Sequence, residues 1–397
     1  MAEAARVSVV VVSRHRPREL ALCLTALTRQ THPDVEVVLV ADPASAGIRP
    51  DLALKRVTFD QPNISQARNL GLAQAAGQVV AFIDDDALAA PGWVARLSAP
   101  FADPRVIAAT GFTRGPDGLA WQVRAERMTP SGRAMPLPLD QPALLGPEQG
   151  CPISTVGTNC AFRRDSLIEV GGFDPAFAFH LDESDVNMRL AARFPAGLTA
   201  VVPAAEVIHG LAPGTTRAAK GVPHDLSAIG RSTVLFAARH GGDAAWILQA
   251  QRQRLLRLMV SGRIEPAAVR RVFATLRAGM AQAAGVSAPL PVWDMPPPPA
   301  FLPLHTDHRD PMFLSGWHWQ RRALRRQAAQ AQAQGHQVMV LLLTPTVLPH
   351  RLVLTRHGWW EQHGGLWGKS QPGDSPVLRC RIRDRVNRER RYFAVQW

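Results

Sequence analysis

The chain has 397 residues, 46% of them hydrophobic, which is long for a single average domain and sufficient for two or three with real cores. Lys plus Arg outnumber Asp plus Glu by 45 to 32, a formal charge of +13 and a pI near 11.1, which favours an anionic partner: nucleotide phosphate, acidic glycan, nucleic acid or an anionic membrane face. Four scattered cysteines with no CxxC pair exclude a disulfide or zinc framework, no apolar run nears the ~20 residues of a membrane span, and Met1–Arg6 lead straight into a strand, so a cytoplasmic protein is expected.

In chain order, Val7–Val12 reads as a buried strand that ends in the polar loop Ser13–Pro17. Pro17 opens a helix whose Leu20, Leu24 and Leu27 share one face. Val35–Val40 is a second buried strand, ending at Asp42. Strand–helix–strand alternation predicts a mainly parallel sheet, with ligands beyond its carboxyl ends. Next comes a helix capped by Ser65 and ended by Gly77, with Arg68 in its first turn, where a guanidinium beside free amides suits a phosphate.

Val79–Ile83 is a third apolar strand and stops at Asp84-Asp85-Asp86. Adjacent carboxylates repel and resist burial, so a cation belongs there. A divalent ion bearing a diphosphate answers that need, because hard cations take oxygen ligands. Residues 113–153 are Pro- and Gly-rich without periodicity and predict a functional or mobile loop. Thr155–Phe162 reads as a strand, and a short helix starts at Arg164. Leu181-Asp-Glu-Ser-Asp opens another helix, on whose surface Asp185 and Arg189 can pair. Strand Thr199–Val202 and the segment Glu206–Gly210 follow.

Helical spacing occupies 226–285, and 286–309 reads as a stiff Pro-rich linker. Residues 310–397 form a small basic appendage: a strand at Met312, a helix from Trp317, strands at Val338–Leu343 and His350–Thr355, and an aromatic turn-rich piece, Gly358–Trp367. Its scattered histidines match no ligand spacing. Trp359, Trp360 and Trp367 read as core more readily than as sugar- or base-stacking platforms. Arg379–Arg391 carries seven arginines against two acids, and attraction to anionic lipid is the expectation drawn from it.

From Arg6 to about His209 these elements, in this order, resemble family 2 glycosyltransferases of the GT-A fold. The likeness lies in the polar loop after the first strand, the Ala67-Arg68-Asn69 helix, the acidic DxD triplet followed by Pro91 and Trp93, Gly157-Thr-Asn159 with Gly171-Gly-Phe-Asp174, the paired acids Asp182-Glu183 with Arg189-Leu190, and His209. The resemblance implies an α/β catalytic domain over 1–225 and an inverting, metal-dependent enzyme, cytoplasmic or peripheral on the inner face of the cytoplasmic membrane. Such an enzyme moves a sugar from a nucleotide-sugar donor to a glycan or lipid-linked acceptor, as in cell-surface polysaccharide synthesis. It implies Mn2+ or Mg2+ held by Asp86 and His209, and Asp84 and Asp85 beside the donor. It also implies Ser13 and Asp42 at the nucleotide base, and Arg68 and Asn69 at the diphosphate or base. Glu183 is the implied base, with Asp182 in reserve, and the helix N-terminus should keep Glu183 ionised. Arg14-His15, Ala41-Asp42 and the Asp-Glu order depart from the usual Tyr-Asn, Asp-Asp and Glu-Asp.

The rival readings are a sugar nucleotidyltransferase and a non-catalytic carbohydrate-binding or scaffolding relic. The first usually has a Gly-rich loop that Ser13–Glu19 lacks, and the second has no need of Asp86, Glu183 and His209 together. No nucleic-acid recognition motif is present, so nucleic acid is not an expected partner.

Overall fold

Valine-rich runs that alternate between two apolar faces make the central strands, and the computed structural model describes them within residues 5–214, 216–218, 221–286, 295–306 and 310–396. The first half runs β1 (Val7–Ser13), α1 (Pro17–Leu27), β2 (Val35–Ala41), α2 (Pro43–Ala46), β3 (Lys55–Thr58), α3 (Ile64–Gln74), β4 (Val79–Asp84), β5 (Ala87–Ala89), α4 (Trp93–Ser98) and β6 (Val106–Arg114). Strands β3, β2, β1 and β4 are parallel neighbours. Their register sets Ser13 beside Ala41 and Val12 beside Asp84, so the three polar strand ends meet at one rim. Val9 and Val11 face α1 and α4 through Leu20, Leu24 and Trp93, whereas Val10 faces α3 with Phe82 and Leu72. The approach of α3 is close enough that a Cβ on Gly71 would stand 2.4 Å from Val10 Cγ1.

Beyond β6 come β7 (Trp121–Val123), β8 (Glu126–Met128), β9 (Ala134–Pro136), β10 (Ala143–Leu145), β11 (Cys160–Arg163), α5 (Arg164–Glu169), α6 (Asp182–Arg193) and β12 (Leu198–His209). β11 runs antiparallel between β4 and β6, and β12 pairs parallel with β6, completing the α/β layering with a mainly parallel sheet. The region expected to be an irregular loop carries four short strands. β7 pairs with β6, β10 pairs with β12, and β8 pairs with β9 in a hairpin. These strands are only three residues long, too short for a period to appear in the sequence. The two segments predicted around 199–210 are one strand with a bulge between Val202 and Val207.

A short hairpin of β13 (Arg217–Ala218) and β14 (Val222–Pro223) precedes α7 (Ser227–His240), α8 (Trp246–Val260) and α9 (Pro266–Ala283). Of the predicted linker, 287–294 and 307–309 lie outside the described residues. The part from 295 to 306 is bound to the sheet: the Leu304 amide donates to Val35 O, the Leu302 amide donates to Glu36, and Leu304 is buried.

The C-terminal unit comprises β15 (Pro311–Trp317), α10 (Arg321–Ala333), β16 (Gln337–Thr344), β17 (Arg351–Leu354), β18 (Trp360–Gly365) and α11 (Ile382–Gln396). Its sheet order is β15-β16-β18-β17, so the aromatic piece read as turn-rich supplies a central strand. Trp359 and Trp360 are buried and Trp367 is partly exposed. The tail is a helix integrated into this unit: Arg385 is buried against Glu389, Arg388 pairs with Asp374, and Arg390 lies over Phe313. Those arginines therefore serve packing as well as surface charge.

This unit shares a core with the first domain through Ala26, Ile208, Met339, Trp360 and Phe393. At the junction Tyr392 donates a hydrogen bond of 2.8 Å to Glu206 on β12, and Arg114 on β6 donates to both Glu206 and Tyr392. Burial, reinforced by the Glu206 charge and opposed by Arg114, lifts the Tyr392 hydroxyl well above the ordinary tyrosine range. Tyr392 is the chain's single tyrosine, so tyrosinate absorbance reads this contact alone. Alkaline titration should leave Tyr392 un-ionised until the protein unfolds, and Tyr392→Phe should lower stability by about 1.5 kcal/mol in urea melts. A titration at the ordinary tyrosine value would refute the docked position of α11.

Candidate active site

The rim formed by β1, β2 and β4 is electronegative, and each of its three adjacent acids has a different environment. The Asp84 side chain is 30% exposed, whereas Asp85 is fully buried and Asp86 nearly so. Asp85 accepts from Ser13 Oγ at 2.7 Å and pairs with Arg16 at 3.2 Å. Burial, with Asp86 and Asp84 adding to it, lifts its pKa to about 7 against the pull of Arg16. Ser13 and Asp85 were expected at the donor. Both are engaged with each other beneath the rim, Asp85 lying in the turn between β4 and β5 with its side chain fully buried.

Asp86 behaves oppositely. Burial alone would raise its pKa, but His209, Arg16 and the Ala212 amide outweigh burial and hold it well below the usual carboxylate range. Its Oδ2 accepts from Ala212 N at 2.6 Å, and its carbonyl accepts from Gly210 N at 2.7 Å, which fastens the 209–213 segment over it. Pairing of β12 with β5 brings His209 opposite Ala87. His209 Nε2 then lies 3.2 Å from Asp86 Oδ1 and 3.7 Å from Asp84 Oδ2. One ligand atom from each of Asp84, Asp86 and His209 falls within 4.8 Å of the others, and two carboxylates with an imidazole are a donor set suited to a divalent cation. Gln122 contacts His209 Nδ1 at 3.0 Å and orients the ring. Nothing in the sequence flags Gln122, which sits in the aperiodic region, or Arg16, one of several arginines after β1.

Across the rim stand the paired acids. His180 and Leu181 both adopt left-handed backbone angles, φ +73° and +64°, immediately before α6. Two such residues in succession are strained, and burial of Leu181 against Phe177 and Phe236 holds them in place. The result directs Asp182 and Glu183 toward Arg68. Arg68 is buried, with Nη1 in a close ion pair to Asp182 and 3.7 Å from Glu183 Oε2. Its Nη2 is 3.0 Å from Gly157 O and 3.5 Å from Asp84. A Cβ on Gly157 would stand 2.5 Å from that guanidinium nitrogen, so glycine there makes room for Arg68.

Several sequence assignments change accordingly. The cap of α3 is Asn63, which accepts from Gln66 N, not Ser65, whose hydroxyl reaches Phe177 O, and the helix stops at Gln74, short of Gly77. Arg68 thus lies in the second turn and points inward, tying the acidic triplet to the paired acids instead of presenting itself to solvent. Asn69 donates to Phe173 O and accepts from Phe173 N, fixing the Gly171–Asp174 turn. Asp42 caps α2 through the Ala44 and Ser45 amides and accepts from His15 N, so it shapes the loop at the rim. Asp185 and Arg189 do pair, at 2.8 Å, but the pair is buried, because Arg239 and His240 of α7 cover it.

The helix N-terminus is not the dominant influence on Glu183. Burial first, and the Asp182 charge second, raise its pKa well above the ordinary glutamate value, with Arg68 opposing them. An open cleft of about 750 Å³ extends from Asp86 past Gly210–Pro213 and Asp117 to Arg351 on β17, so the C-terminal unit borders the site.

Fold and site together define an α/β protein with a carboxylate–imidazole cluster at the sheet's carboxyl rim, faced by an arginine-linked acid pair. Residues 8–171 match the family described as Glycosyl transferase family 2. It is 30% identical over 180 residues to a glucosyl-dolichyl phosphate glucuronosyltransferase of Haloferax volcanii, a match covering 43% of this chain and 56% of that protein. It is 29% identical over 279 residues to an N-acetylglucosaminyl-diphospho-decaprenol L-rhamnosyltransferase of Mycobacterium tuberculosis, covering 59% of this chain and 85% of the relative. The chain therefore spans little over half the length of the first relative and most of the second. Among solved structures it is similar to GalNAc-T7 with UDP, GalNAc and Mn2+ (TM-score 0.46, 18% identity, 60% of this chain and 48% of that one). It is also similar to the mannosyltransferase PcManGT of Pyrobaculum calidifontis with GDP-Man and Mn2+ (TM-score 0.42, 20% identity, 72% and 77%). No described helix is long and apolar enough to cross a membrane.

Proposed function

We propose that this chain is a metal-dependent, inverting glycosyltransferase that moves a sugar from a nucleoside diphosphate sugar to a hydroxyl of a glycan or lipid-linked acceptor. The observation that carries the reading is the convergence of Asp84, Asp86 and His209 on one side of the rim with Glu183 on the other, joined by Arg68. Asp84, Asp86 and His209 would hold Mn2+ or Mg2+. When bound, the cation supplies charge stabilisation for the departing nucleoside diphosphate. Glu183 takes the proton of the acceptor hydroxyl as that oxygen bonds to the anomeric carbon and the carbon–oxygen bond to the diphosphate breaks. Asp182 is less available for this role because its charge is matched by Arg68. Attack from the face opposite the leaving group inverts the anomeric centre. Both curated relatives bear names of transferases acting on polyprenyl-linked sugars, which supports a lipid-linked acceptor.

The test is thermal melting in the presence of a panel of nucleotide sugars, with and without Mn2+ or Mg2+. One donor should raise the melting temperature only when metal is present, the rise corresponding to a mass-action stabilisation of about 2.7 kcal/mol at a hundredfold excess over its Kd. Equal protection in chelator, or none by any donor, would defeat the reading.

A further inference from the structure

Among the described residues, the three helices after the first domain pack on it through α7, the end of α9 and the start of α8, where Trp246 Nε1 donates to Ser131 O. Phe236 of α7 packs on Phe177 and Leu181, and Arg239 and His240 reach Asp174 and Asp185. α9 presses on α7 so closely that a Cβ at Gly279 would stand 1.9 Å from Ser227 O. α8 joins them through Leu255, Val272 and Leu276. Away from this packing, α8 and α9 enclose an open groove of about 700 Å³ lined by Leu256, Met259, Val269 and Phe273, with Arg252 and Arg270 beside them. Leu256 is 38% exposed, and Val260, at the end of α8, is 84% exposed.

The charge around the groove is one-sided. Residues 246–283 hold seven arginines (252, 254, 257, 263, 270, 271 and 277) and one acid, Glu265. Arg252, Arg257, Arg270, Arg271 and Arg277 are exposed, with no carboxylate paired to them among the described residues. A soluble polyanion would match the charge and leave the apolar lining wet. A bilayer surface offers phosphates and, a few ångströms deeper, acyl chains, which matches both features.

We propose that the α8–α9 groove docks the protein on an anionic phospholipid membrane. Leu256 and Val260 enter the acyl boundary, and Arg252, Arg257 and Arg270 meet headgroup phosphates. The helices reach the Glu183 side of the rim: Ala283 of α9 lies in one buried cluster with Leu181, the residue before Asp182. Docking would thus present the Glu183 side of the rim to a membrane-held acceptor. That consequence rests on the proposed function, whereas docking itself does not.

The experiment is co-sedimentation of the full chain with phosphatidylcholine vesicles, with and without phosphatidylglycerol, at physiological salt. Metal-dependent donor protection is measured in parallel, so that failure of docking is distinguished from failure of the catalytic reading. The wild type should partition onto phosphatidylglycerol vesicles and not onto phosphatidylcholine alone. Arg252→Gln with Arg270→Gln should weaken that partition about thirtyfold. Val260→Asp, at a side chain that packs on little, should weaken it about tenfold. Donor protection should be unchanged in every variant. The proposal is overturned if the wild type ignores anionic vesicles or binds neutral ones equally, or if the groove variants bind like wild type. It is also overturned if only Arg379→Gln, Arg381→Gln and Arg383→Gln together release the protein, or if the groove arginines hold single-stranded RNA and not vesicles.

Discussion

Asp86→Asn is expected to abolish metal-dependent donor binding while leaving the protein folded. Asp86 has two separate tasks: Oδ2 accepts the Ala212 amide and secures the 209–213 segment, and Oδ1 faces His209. Alanine would remove both, so loss of activity could come from a loosened loop. Asparagine keeps an oxygen for the Ala212 amide and removes the negative charge a cation requires. It also removes a carboxylate held well below its ordinary pKa and charged throughout the neutral range. Removing a partner that only orients a ligand commonly costs 10–100-fold in metal affinity, so loss of a ligand itself should exceed about 100-fold. Melting in circular dichroism should move by no more than about 3 °C. Transfer assays and isothermal titration with Mn2+ plus donor provide the measurement. Retained donor binding with wild-type metal dependence would remove Asp86 from the cation site.

The division of labour in the acidic triplet also shows what the sequence discloses. That Asp84–Asp86 form an electrostatically unbalanced cluster was readable, because an apolar strand ending in three carboxylates concentrates negative charge on any fold. The convergence of Ser13, Asp42 and Asp84 was readable too, since parallel strands of similar length end at a common rim. The direction of each side chain was not. Asp85 faces inward to Ser13 and Arg16, and Arg68 faces inward to Asp182, and both orientations depend on partners far away in sequence, Ser13 by 72 residues and Asp182 by 114. Local signals for caps likewise competed on nearly equal terms at Asn63 and Ser65, and tertiary contact with Phe177 decided between them. Gln122 borders the site from a region whose short strands carry no period, and Arg351 borders it from a strand that was legible but whose docking beside the site was not. The strain at His180 and Leu181 had no sequence signal, since neither residue type favours left-handed angles.

Glu183→Gln should spare donor binding and lower transfer by about 10³-fold, within the range a positioned general base contributes. The amide is nearly isosteric and cannot take the acceptor's proton. Asp182 and Arg68 remain paired beside it, so the donor-side geometry through Arg68 and Asp84 is preserved. The pH dependence provides the finer check. Glu183 must be deprotonated to act, and burial together with the Asp182 charge raises its pKa. In the wild type, therefore, kcat/KM should climb with pH through a value above the ordinary glutamate range, and activity should be lost as pH falls below it. Asp182→Asn removes the like charge and frees Arg68 to favour the ionised form of Glu183. Its acid limb should move to lower pH even if the maximal rate falls. A limb that moves upward in Asp182→Asn, or stays fixed, would mean that Glu183 is not the titrating base. A reversed outcome, with Glu183→Gln transferring normally and Asp182→Asn inactive at every pH, would make Asp182 the base and reduce Glu183 to its neighbour.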